Sequence, residues 1–132
     1  MINITISNPR NEMTFFPEEV ISGEASWTAR GEHKKAEIRL FWYTQGKGDM
    51  DVEIIDKMEI TYPSLGKANF KFKLPNAPYS FSGKLISLIW AIELIFFPNK
   101  ESFKVDFTMS PNGQEINLYS NNHLDSNNQL KK

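Results

Sequence analysis

Residues 66–92 read GKANFKFKLPNAPYSFSGKLISLIWAI, and this stretch decides the fold. In its first part Ala68, Phe70, Phe72 and Leu74 fall on one side, and Lys67, Asn69, Lys71 and Lys73 on the other. A period of two describes a strand with one dry and one wet face. Pro75 and Pro78 each fix φ and remove a backbone donor, so the ladder must stop there. After Gly83 a second strand starts, with Ile86, Leu88, Trp90, Ile92 and Leu94 alternating toward a core.

Outward from this pair the same pattern repeats. Ile2, Ile4 and Ile6 alternate with polar residues up to the Asn8-Pro9 turn. Phe15-Phe16-Pro17 opens a turn into a strand that ends at Trp27 and carries Gly23 inside it, a sign of a bulge or a close backbone approach. A charged loop, residues 29–35, leads to a strand with Ile38, Leu40 and Trp42 on one side. Glu37, Arg39, Phe41 and Tyr43 take the other. Residues 51–62 form one long strand, or two with a break at Ile54-Ile55, where the alternation slips. Phe103, Val105, Phe107 and Met109 make the last strong strand, after the Phe97-Pro98-Asn99 turn. No amphipathic helix emerges. About seven strands separated by turn signals imply an all-β, immunoglobulin-like antiparallel β-sandwich. Residues 1–110 form the sandwich; 111–132 are a polar tail, flexible or adding a short edge strand through Ile116, Leu118 and Tyr119.

Leu74, Pro75, Pro78, Ser80, Phe81, Gly83 and Trp90 resemble the "LP…P.SF.G…W/Y.I" passage of the arrestin family's N-terminal domain. Residues 15–27 are similar to a second arrestin passage, "Y.PG..V.G.V", with Glu18 where glycine is usual. The resemblance implies an arrestin-like fold that works by binding other molecules and does no chemistry. Arrestins have two such domains and this chain has room for one. It also lacks a proline-tyrosine motif in its tail and anything like the buried polar core of receptor regulators. As a single domain it looks closer to the bacterial sporulation-control family and the retromer-type sorting subunits than to a receptor regulator.

Composition narrows the classes further. The 132 residues suit one domain, able to fold without staples. There is no cysteine, so disulfides and thiolate metal sites are excluded. A net charge of −1 offers no global attraction to nucleic acid or anionic membrane. No signal-like start is seen, and the apolar run 85–97 is too short to span a bilayer. The expected location is cytoplasmic, with no integral membrane association.

Chemical constellations are poor. His123, Asp125 and Ser126 have triad residue types but sit in the polar tail with nothing to hold their geometry. His33 lies in a charged loop with one other histidine in the chain. Asp49, Asp51 and Glu53 share a strand side but lack the looping backbone of a calcium site. Gly46-Lys47-Gly48 is a hairpin turn, missing the serine or threonine of a phosphate loop. The lysines 67, 71 and 73 point away from Phe70 and Phe72, unlike the interleaved aromatics of single-strand nucleic-acid binders. The expectation is no enzyme activity, no cofactor, no metal and no nucleic acid.

Apolar residues on the wet side are the best candidates for a partner site. Phe41 and Tyr43 share a side with Glu37 and Arg39; Ile89 and Ile95 share one with Ser87 and Glu93. If their strands are neighbours, they form an apolar outer-face patch that marks a protein-binding surface. The functional expectation is a protein-interaction or adaptor module, docking a partner protein through this patch or an edge strand. Homo-oligomerisation through edge strands is a variant. The alternative is a sandwich that binds a small apolar ligand or lipid.

Overall fold

A computed structural model describes residues 2–8, 10, 12–28, 34–48 and 50–112, and the backbone of 116–117. Among them are ten strands, a short 3-10 turn at Pro63–Leu65, and no α-helix. Seven strands carry the architecture: β1 (Ile2–Ser7), β3 (Val20–Trp27), β4 (Lys35–Gly46), β5 (Val52–Ile60), β6 (Lys67–Lys73), β8 (Ile86–Phe97) and β9 (Ser102–Met109). The other three, β2 (Thr14–Phe15), β7 (Phe81–Ser82) and β10 (Ile116–Asn117), are two residues each.

The strands form two sheets, the β-sandwich expected from the alternation. The first has the order β1-β3-β6, all antiparallel, with Ile4 beside Ala25 and Ala25 beside Ala68. The second runs β5-β4-β8, and the far side of β8 is shared. There β7 pairs with Ser87 and Leu88, and β9 pairs with the stretch from Trp90 to Ile95. Two short pairings are parallel: β2 on β9, and β10 on β7.

Between the sheets lies one core. Ile21, Ala25, Phe70, Phe72 and Leu74 face Ile38, Leu40, Trp90, Ile92, Leu94 and Phe96. Each Leu, Ile or Phe side chain so buried contributes about 1.5–3 kcal/mol relative to exposure. The pattern fails at strand ends: Ile86 is 37% and Phe103 is 39% exposed. At one end Trp27 donates its indole N–H to the Pro63 carbonyl at 2.8 Å and packs edge-on against Phe96. Phe15 and Phe96 are buried in the core, while Phe16, in the first aromatic turn, is exposed.

The proline-bracketed passage is a clasp. Leu74 N–H donates to Glu19 O at 2.9 Å, and Glu18 N–H to Pro75 O at 3.2 Å, tying the first turn to the end of β6. Trp90 Nε1 donates to Pro78 O at 2.8 Å. Ser80 holds β9 twice: its N–H donates to Met109 O at 2.8 Å, and its Oγ accepts from Met109 N–H at 3.0 Å. Phe81 packs against the core, and Gly83 lies in the turn between β7 and β8.

Two local features answer questions left by the sequence. Gly23 marks a close approach and no bulge, since its pairing with Ile6 and Phe70 runs without a register shift. The slip at Ile54-Ile55 is a bulge within one strand: Leu40 pairs with Asp56, and Phe41 with Ile54. Ile54 then faces out while Ile55 packs on the core.

Candidate interaction surface

β4 and β8 are neighbours, and their register puts Phe41 opposite Ala91, Tyr43 opposite Ile89 and Glu37 opposite Ile95. On the outer face of the second sheet Phe41, Tyr43 and Ala91 form a small apolar cluster, with Ile89 packed against it. The rings of Phe41 and Tyr43 stack with centroids 5.8 Å apart. Ile95 stands apart, separated from this cluster by the paired Arg39 and Glu93, and next to Glu37.

The cluster is more covered than a bare alternation suggests. Phe41, Tyr43 and Ile95 are 7%, 8% and 9% exposed. Lys104, from β9, lies 4.7 Å from the Tyr43 ring centroid and donates to its hydroxyl at 2.8 Å. The Tyr43 hydroxyl in turn donates to Asp106 at 3.2 Å, and Lys104 pairs with Asp106 at 3.1 Å. The bond to Tyr43, followed by the carboxylate of Asp106, raises the Lys104 pKa against its burial. This ammonium stays charged and pinned over the ring.

The exposed apolar part of the face comes from β5, which the sequence pattern did not single out. Val52 pairs with Tyr43, and Ile54 with Phe41. They are 60% and 48% exposed, and Met50, just before the strand, is 60% exposed. The signal was present in the slip at Ile54-Ile55, because the bulge turns Ile54 outward. The exposed apolar surface thus lies along the β5 edge, beside the covered Phe41 and Tyr43 cluster.

Beyond Arg39 the face becomes charged. The Glu37 carboxylate is nearly buried, accepts from Arg39 Nε at 3.0 Å and has Lys35 and Lys57 each 3.9 Å away. Charges dominate here, so Ile95 lies outside the apolar surface.

Two concavities flank these elements. A cleft of about 300 Å³ opens beside Ile89, where β7 and β9 part along β8; Met13, Ser80, Asp106 and Thr108 line it. A shallow concavity of about 790 Å³ lies at Gly23, reaching Phe70 and, on β5, Met58. Thr5, Ser7, Ser22, Glu24, Asn69 and Lys71 complete its walls. Among the described residues no group of three His, Asp or Glu side chains is placed to hold a metal ion. His33, Asp49, His123, Asp125 and Ser126 lie outside the described residues. No helix among those described is long and apolar enough to cross a membrane.

The two packed sheets, tied by the clasp, form an all-β sandwich. No family model matches the chain, and no curated protein matches its sequence. Among solved structures it is similar to Spo0M, a sporulation control protein from Bacillus subtilis, with a TM-score of 0.55 and 13% identity. That match covers 83% of this chain and 48% of Spo0M, so the chain spans about half the neighbour's length. A β-glucosidase from Listeria innocua, solved with gluconolactone, matches with a TM-score of 0.46 and 8% identity, over 88% of this chain and 16% of the enzyme. The likeness to Spo0M is one of fold alone.

Proposed function

We propose that the chain is a non-enzymatic protein-interaction module of arrestin-like type, acting in the cytoplasm as an adaptor. It docks its partner on the outer face of the second sheet through the exposed Val52 and Ile54, which the covered cluster of Phe41 and Tyr43, with Ile89 packed against it, supports. One observation carries this reading: two large apolar side chains, 60% and 48% exposed, extend an aromatic cluster along a single strand edge. Exposed contiguous apolar surface of this kind marks association sites. The likeness to a sporulation control protein supports a regulatory setting.

The experiment is affinity capture from native cells with wild-type chain and with Val52→Asp, Ile54→Asp and the double variant. All three should fold as wild type, because both side chains are exposed. A partner held by wild type and lost from the double variant supports the reading. A partner retained at full yield by the double variant sinks it. Tyr43→Asp is a poor probe, since Tyr43 is buried and hydrogen bonded to Lys104 and Asp106.

A further inference from the structure

β5 ends the second sheet, and among the described residues it pairs with β4 alone. Its outer edge is therefore a row of backbone donors and acceptors available to another strand. The two faces of this edge differ in chemistry. Val52 and Ile54 lie on the outer face, opposite Tyr43 and Phe41. Glu53 and Asp56 lie on the other face, opposite Trp42 and Leu40, and Asp51 precedes them, its N–H bonded to Thr44 Oγ. All three carboxylate residues are exposed although their face is the core-facing one. Ile55, between Glu53 and Asp56, still packs on the core, so these carboxylates reach solvent at its margin. None of the three has an ion-pair partner among the described residues. Residues 51–60 carry four carboxylates and one lysine.

Inward-pointing charges and a bulge are how edge strands avoid pairing with copies of themselves. An antiparallel second β5 would bring carboxylates against carboxylates, which is destabilising. The lysine-bearing β6 of a second copy does not fit either, because Phe70 and Phe72 are committed to its own core. Against a basic strand the same carboxylates attract, so the guard becomes a selector.

We infer that β5 captures an extended segment of a partner protein in which Lys or Arg alternates with apolar residues. The apolar residues lie beside Val52 and Ile54, and the basic ones beside Asp51, Glu53 and Asp56. Main-chain hydrogen bonds supply affinity, and the two-faced edge supplies specificity. This rests on the proposed docking function and names the partner's chemistry.

The test uses the full chain and three capped heptapeptides. One alternates lysine and valine, one alternates glutamate and valine, and the third is the lysine peptide with its central valine replaced by proline. Binding is read by anisotropy and by amide exchange along β5. The lysine peptide should slow β5 amide exchange and bind at least about tenfold tighter than the glutamate peptide, the difference shrinking with salt. Glu53→Lys should weaken it by about fivefold. The proline peptide should lose binding, since proline cannot donate to the ladder. Equal binding of the glutamate peptide overturns the charge assignment. Equal binding of the proline peptide, or protection away from β5, overturns strand pairing. If no peptide binds, the inference falls. The docking function itself stands or falls separately, by capture with the Val52→Asp, Ile54→Asp double variant.

Discussion

The indole N–H of Trp90 donates to the carbonyl oxygen of Pro78 at 2.8 Å, joining the centre of the second sheet to the rigid connection that feeds it. Trp90 has no exposed surface, so its ring both fills the core and fixes that connection. Next to it, Ser80 Oγ is the acceptor for the buried N–H of Met109. The proline-rich passage works as a clasp among β6, β8 and β9. Trp90→Phe should lower stability by about 2 kcal/mol, from lost volume and an orphaned acceptor. Ser80→Ala should cost about 1–3 kcal/mol for an unsatisfied buried donor. Chemical denaturation of both variants checks this; wild-type stability in either would contradict the clasp.

Glu18 occupies the third position of the turn formed by Phe16, Pro17, Glu18 and Glu19, closed by Glu19 N–H to Phe16 O at 3.1 Å. Its φ is 67°, a left-handed conformation that disfavours side chains with a Cβ. The side chain is exposed. Glu18→Gly should therefore stabilise the fold by about 0.5–1 kcal/mol, the relief exceeding the entropy a glycine adds to the unfolded chain. A raised melting temperature with unchanged spectra would agree. A lowered one would show that the glutamate makes an interaction worth more than the strain.

Gly23 sits between β1 and β6. A Cβ there would run into the carbonyl oxygen of Thr5 and come within 2.7 Å of the Phe70 ring. The first contact is backbone, which cannot swing aside. Gly23→Ala should destabilise by about 2–3 kcal/mol through forced separation of the strands. The loss should appear in denaturation midpoints and in faster amide exchange along β1. Exchange confined to wild-type rates would be the contrary outcome.

How much of this was legible in the sequence depends on which residues set it. Alternation alone placed Phe70, Phe72, Leu88, Trp90 and Ile92 in the core, because a strand's period is fixed by its backbone. It also located the irregularity at Ile54-Ile55. It assigned Tyr43 and Ile89 to one outer face but could not tell how covered that face is. The cover over Tyr43 comes from Lys104 and Asp106, on a strand far along the chain that reaches β4 only through the sheet. Ile95 shared the right parity, yet its neighbours across the sheet are charged. Strand parity gives a side; only packing gives a surface.

Nothing in the sequence pattern announced the contact between Arg10 and Glu19, and it sets a pH dependence. Arg10 donates from Nη1 and Nη2 to the two carboxylate oxygens of Glu19 at 2.9 and 3.0 Å, and also to Thr14 O at 2.6 Å. Phe16 N–H donates to Glu19 Oε1 at 2.8 Å, and the Arg10 guanidinium lies 4.4 Å from the Phe16 ring centroid. The Arg10 bonds first, then the Phe16 amide and the arginine charge, hold the Glu19 pKa below the usual carboxylate value against its partial burial. A depressed pKa in the folded state means the unfolded chain takes up a proton first as acid is added. The Glu19 contribution is thus complete above the ordinary carboxylate range and is lost as pH falls through that range toward its folded pKa. Glu19→Gln should reduce stability at neutral pH and flatten this acid limb, so the two proteins converge in strong acid. Urea midpoints from neutral to acidic pH provide the measurement. Parallel curves for the two proteins would mean that the bidentate pair contributes nothing pH-dependent to the fold.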